Sequence, residues 1–173
     1  MSGTASPSPA IEIEVDVACD GWRQIGEDPG RIASETARRA LAGTVGGALA
    51  ASRVVLDIAL SDDAAQRRLN RDYRGKDAAT NVLAFPLHDR AIPPPPGAPL
   101  MLGAITLAFE TVAGEAAAQQ KSLGDHLRHL VVHGTLHLLG YDHESAADAA
   151  AMERREIAIL AELGVADPYR DAI

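Results

Sequence analysis

Three of the chain's six histidines stand at a spacing that chemistry can use: His133, His137 and His143, in the run His133-Gly134-Thr135-Leu136-His137-Leu138-Leu139-Gly140-Tyr141-Asp142-His143. Residues four apart on a helix share a face, so His133 and His137 can aim two imidazoles at one point. Gly140 can end that helix in a left-handed conformation and return His143 to the same point from another side. Three neutral imidazoles leave the fourth tetrahedral position of a zinc ion open, as catalytic rather than structural sites do. The expectation is one Zn2+ per chain on these three residues.

The neighbours sort by the same reasoning. His126 and His129 precede His133 by seven and four residues and fall on nearly the same helical face, so spacing alone could recruit either. A role behind the metal ligands or facing substrate is assigned to His129, and a solvated surface position to His126 and His88. Asp142 either orients a ligand imidazole through its other nitrogen or completes the turn after Gly140. Tyr141 is read as half-buried packing, and Glu144 as negative charge opening the last helix. The same histidine spacing occurs in metzincin proteases, where a Glu directly after the first His is the general base; here that position is Gly134, which argues against peptidase chemistry.

The elements that must position these groups follow from periodicity and capping. Residues Ile11 to Val17 alternate apolar and acidic, the pattern of an edge or near-edge strand with one wet face. Asp28-Pro29 opens a helix that runs to Gly46-Gly47, and Arg53 to Leu60 reads as a buried strand. Ser61-Asp62-Asp63 caps a helix carrying Arg67, Arg68 and Arg71 that breaks at Gly75. Strands over Asn81 to Leu87 and Leu102 to Phe109 flank a stiff loop around Pro93 to Pro96. Helices are expected over Glu110 to Lys121, Gly124 to Leu139 and Glu144 to Leu163. Strands and helices in this order lack the regular alternation of a doubly wound sheet. They predict an α+β fold, a mixed sheet of about four strands with about five helices, the metal-binding helix beside the sheet.

Composition bounds the rest. At 173 residues the chain suits one domain, expected over residues 11–173 after a flexible Ser, Pro and Ala-rich tail over residues 1–10. Hydrophobic residues make up 47% but aromatics only 3%, so the core must be packed mainly by Ala, Leu, Val and Ile. A formal charge of −8 argues against a protein that coats nucleic acid non-specifically over its whole surface; any such contact must be local. Cys19, the single cysteine, excludes an internal disulfide and a cysteine-based zinc site. The N-terminus carries no basic and apolar leader pattern, and the small-apolar run between Arg39 and Arg53 is too short to span a bilayer. A cytoplasmic protein without membrane partners is expected.

The metal run resembles the signature H-G-x-L-H-L-x-G-Y-D-H of the YbeY endoribonuclease family, factors of ribosomal RNA maturation, and every specified residue is present. The resemblance extends over roughly Arg53 to Tyr169, through LNRDYRGKDAATNVLAFP, the helix ending in AQQK, and the C-terminal LGVADPY. It implies zinc on His133, His137 and His143, and a catalytic arginine at Arg74 near the metal, in a groove between sheet and histidine helix. It further implies single-stranded RNA as substrate, small-subunit ribosomal RNA processing and ribosome quality control as the role, ribosomal partners, and no DNA. Ala84 stands where the family's V-L-S-F-P has Ser, and Ala104 where L-G-D has Asp; loss of that carboxylate puts hydrogen bonding in the groove in question.

On this reading zinc either lowers the pKa of bound water or polarises a phosphate oxygen while the ribose 2′-hydroxyl attacks. Arg74 stabilises charge in the transition state. Arg67, Arg68, Arg71, Arg74 and Lys76 concentrate positive charge on an acidic chain and offer a path for a phosphate backbone, Arg71 and Lys76 beside the substrate, with part of the set balancing Asp72 and Asp77. Two alternatives belong to other classes. One is a zinc-stabilised RNA- or ribosome-binding factor without strong catalysis, and the other a metallopeptidase-like hydrolase.

Overall fold

The computed structural model describes residues 10–42, 53–89, 92 and 94–170. The tail up to residue 9, the helix stop at Gly46-Gly47, most of the small-apolar run and Pro93 lie outside the described residues. Ala10, read as the end of the tail, is instead the first residue of strand β1 (Ala10–Val17). Helix α1 (Pro29–Ala42), β2 (Arg53–Ser61), α2 (Asp63–Arg74), β3 (Val82–Pro86), β4 (Leu100–Ala108), α3 (Phe109–Ala118), α4 (Leu123–Leu138) and α5 (Ala146–Glu162) follow in that order.

The four strands form one mixed sheet in the order β1-β2-β4-β3, with β1, β2 and β4 parallel and β3 antiparallel to β4. This is the expected α+β architecture, with β1 at one edge and β3 at the other. The caps are those the sequence advertised. Asp28 Oδ1 accepts from Gly30 N at 3.0 Å, Asp62 Oδ1 accepts from Ala65 N at 2.8 Å, and Gly75 ends α2 at φ 69°. A short 3-10 segment over Asp20–Ile25 was not anticipated. It buries Trp22, whose Nε1 donates to the Ser61 carbonyl at 2.9 Å and whose ring meets Phe109 edge-on.

Helices α1 and α4 pack on each other and on one face of the sheet. A Cβ at Gly134 would lie 3.0 to 3.4 Å from the side-chain carbons of Ile105, so the close seating of α4 on β4 favours glycine there. Side chains alternate along a strand, so Ile105 and Ala84, its partner on β3, face α4 while Ala104 and Phe85 face away. Helix α2 reaches that other face, where the Tyr73 ring meets Phe85. An aspartate at position 104 would therefore point away from the histidine helix. The expectation that Ala104 removes a carboxylate from the metal groove is corrected by strand parity.

Candidate metal centre

Ser122 opens α4 by accepting from Asp125 N, and at the other end Gly140, at φ 96°, turns the chain. Tyr141 N reaches back to the Leu136 carbonyl at 3.0 Å, the closure that glycine-terminated helices make. This turn carries His143 back beside the last helical turn. Its ring centroid lies 5.1 Å from that of His137 and 5.9 Å from that of His133, while the His133 and His137 rings are 4.6 Å apart. One nitrogen from each of the three falls within 4.8 Å of the others.

The donor chemistry suits a cation. His133 Nδ1 faces Glu156 Oε1 at 2.6 Å, so that nitrogen carries the proton and Nε2 carries a lone pair. Yet Nε2 of His133 lies only 3.1 Å from Nε2 of His137. Two ligand nitrogens on tetrahedral zinc stand about 3.3 Å apart, given Zn–N bonds of about 2.0–2.1 Å. Burial lowers the pKa of His137, and the neighbouring His133 and His143 lower it further, which favours the neutral, ligating form. The three residues could hold one metal ion.

Behind the three histidines stands a carboxylate that spacing on α4 could not reveal. Glu156 of α5 is fully buried and accepts from His133, from His129 Nε2 at 3.0 Å and from the Tyr169 hydroxyl at 2.5 Å. Burial alone would raise its pKa, but the hydrogen bonds from His129, His133 and Tyr169 together outweigh it and hold the carboxyl at about 2. Burial, and then the bond to Glu156, push the Tyr169 phenol above its ordinary range. A signal for Glu156 existed: it shares the buried stripe of α5 with Met152, Ile159 and Leu160, where an acidic residue needs a reason.

His129 also borders a cleft of about 410 Å³ lined by Lys121, Ser122 and Arg170, so its position accommodates both of the roles considered for it. His126 does not keep its assigned place in solvent. It is 3% exposed, and its Nε2 pairs with Glu115 Oε2 of α3 at 2.7 Å. Asp142 Oδ1 accepts from Glu144 N at 3.2 Å, so in this structure it completes the turn. Glu144 lies outside the last helix, whose cap is Ser145, accepting from Asp148 N.

Arg74 is exposed at the free edge of the sheet. Its guanidinium donates to the Ala84 carbonyl at 3.3 Å and lies 5.9 Å from the centre of the Phe85 ring, and it touches none of the three histidines. Its level along the sheet is nonetheless fixed. Gly134 sits on Ile105 and Leu138 on Gly103, and these two residues pair with Ala84 and Pro86 on β3. The turn of α4 from His133 to His137 therefore runs alongside the stretch of edge strand that Arg74 grips. Of the other basic residues, Arg67 is held bidentately by Asp77 at 2.7 and 3.0 Å and Arg71 leans on Asp72 at 3.4 Å, while Lys76 is exposed.

An α+β chain that converges three imidazoles at the end of a helix, beside an open sheet edge bearing an arginine, presents a candidate metal centre. Comparison with known proteins gives the family. The model of the family described as endoribonuclease YbeY matches residues 29–164. The chain is 52% identical to endoribonuclease YbeY of Paramagnetospirillum magneticum, over 92% of this chain and 96% of that protein. It is 46% identical to that of Chelativorans sp., over 98% and 99%. A solution structure from Thermotoga maritima superposes with a TM-score of 0.49 at 20% identity, over 88% of this chain and 91% of that one. The chain belongs to the endoribonuclease YbeY family.

Proposed function

We propose that this chain is a zinc-dependent endoribonuclease specific for single strands, acting in the cytoplasm in small-subunit ribosomal RNA maturation and ribosome quality control. Residues 11–173 would form its single catalytic domain. Its partners on this reading are ribosomal RNA and ribosomal or small-subunit proteins, with no role for DNA or membranes. Among the described residues no helix is long and apolar enough to cross a membrane. The observation that carries the reading is the convergence of His133, His137 and His143 beside the strand gripped by Arg74, in a chain of this family.

His133, His137 and His143 would hold the ion, whose chemistry is Lewis acidity toward a phosphate oxygen and a lowered pKa for water. The chain's own groups supply the rest. Arg74 carries a planar guanidinium that can bind two phosphate oxygens, so it stabilises the additional negative charge that develops as the phosphodiester reacts. Tyr73, 73% exposed and held edge-on by Phe85, offers a stacking face to a base that is not already paired and stacked, which favours single strands. The seating of Gly134 also weighs against the protease alternative, since a Cβ there would meet the side chain of Ile105 at 3.0 Å.

The test is zinc stoichiometry by elemental analysis beside single-stranded RNA cleavage on wild type, His137→Ala and Arg74→Ala. Wild type should hold one zinc and cleave, and His137→Ala should lose both. Arg74→Ala should keep its zinc while cleavage falls about 100-fold. Stoichiometric zinc in a wild-type protein that does not cleave would move the reading to a zinc-stabilised RNA-binding factor.

A further inference from the structure

We propose that Glu156 is a positioning residue for His133, fixing which ring nitrogen faces the metal and where that nitrogen points. The inference rests on the metal reading above and extends it to a residue on another helix. A carboxylate buried among apolar side chains is costly unless donors surround it, and the stripe of α5 that carries Glu156 otherwise packs Met152, Ile159 and Leu160. Donors do surround it, and they divide its two oxygens unequally. Oε1 accepts from His133 Nδ1, while Oε2 accepts from His129 Nε2 and from the Tyr169 hydroxyl.

That division has a mechanical consequence. Tyr169 beyond α5 and His129 one turn before His133 hold Oε2 from two directions, so the carboxylate cannot swing away from the ring it orients. With Nδ1 committed to Oε1, only Nε2 of His133 is free to ligate, and it is the nitrogen that stands 3.1 Å from His137 Nε2. Among the described residues, Glu156 is the one carboxylate in hydrogen-bond contact with any of the three histidines. His137 and His143 have no such partner among the described residues, so α5 enters the metal centre through His133. Carboxylates in this relation to ligand histidines typically change metal affinity about 10- to 100-fold.

The experiment measures zinc affinity by competition with a chromophoric chelator, and the visible spectrum of the cobalt(II)-loaded protein, for wild type, Glu156→Gln and Glu156→Ala, with folding checked by circular dichroism. Glu156→Gln keeps the shape and loses the charge; it should raise the zinc dissociation constant about tenfold and shift the cobalt bands. Glu156→Ala should raise it about 100-fold. Where the alanine variant does not fold, the isosteric Glu156→Gln decides. Reduced thermal stability with zinc affinity and cobalt spectrum unchanged would mean that Glu156 is merely a structural residue, and would overturn the proposal. A wild type that binds no zinc would overturn the metal reading itself, an outcome distinct from a zinc-binding wild type matched by Glu156→Gln.

Discussion

The two ends of the histidine stripe on α4 hold the same residue type on the same helical face, and they end in opposite chemistry. At the N-terminal end His126 is buried, its Nε2 spent on Glu115, its Nδ1 enclosed with no partner among the described residues. At the C-terminal end His133 is half-buried and also meets a carboxylate, but through Nδ1, which leaves Nε2 directed at His137. What separates a structural histidine from a proposed ligand here is which nitrogen the carboxylate takes. The carboxylate at each end comes from a different helix, α3 or α5, so the distinction is written in tertiary packing rather than in the spacing along α4.

The largest effects should come from exchanging alanine for each of the two. His133→Ala removes a ligand and should abolish stoichiometric zinc and cleavage together, read by elemental analysis and an RNA assay. His126→Ala opens a cavity in the core and leaves Glu115 with Asn81 as its remaining donor, which should cost about 2–4 kcal/mol of folding stability in chemical denaturation. It should leave zinc at one per chain. Loss of zinc from a folded His126→Ala protein would break the comparison, since the two ends would then be one site.

Acid titration sharpens the contrast with a smaller effect. Burial lowers the pKa of His126, against the opposing pull of Glu115, and burial also leads the lowering of His137. A histidine whose folded pKa lies below the ordinary 6.5 takes up its proton first in the unfolded chain. Its contribution is full above 6.5 and is lost as pH falls through the folded value. The metal-free protein should therefore lose stability from pH 6.5 downward, and His126→Gln should flatten that limb in urea midpoints measured between pH 7.5 and 5. Glu156 acts in a separate window. Held at about 2, it contributes stability above about pH 4.5 that is lost as pH falls through 2. An unchanged limb in His126→Gln would show that its burial is not felt in solution.

Much of this architecture was legible along the chain because its signals are local. Alternation marked β1, Asp62 and Gly75 bounded α2, and Gly140 announced the turn that returns His143. The parts that were not legible depend on residues distant in sequence. Glu156 lies twenty-three positions beyond His133, and only the packing of α4 against α5 brings them together. His126 looked solvated until α3 placed Glu115 over it. Strand parity, which turns Ala104 away from the metal helix, needed the register of β3 on β4. Trp22 was passed over because a 3-10 turn leaves no periodicity to detect.

The smallest expected effect is the most discriminating about where the ligating end stops. Asp142 adjoins His143, and sequence alone allowed it to orient that imidazole or to close the turn. Its Oδ1 accepts from the Glu144 amide at 3.2 Å, and an asparagine oxygen can accept the same bond. Asp142→Asn should therefore shift zinc affinity less than about twofold, whereas loss of a charged partner from a ligand histidine costs about tenfold or more. Chelator competition separates these values. A tenfold loss would mean that His143, like His133, is positioned by a carboxylate. The turn after Gly140 would then be the reason for Asp142's place in the chain only in part, and α5 would no longer be the sole helper of the metal centre.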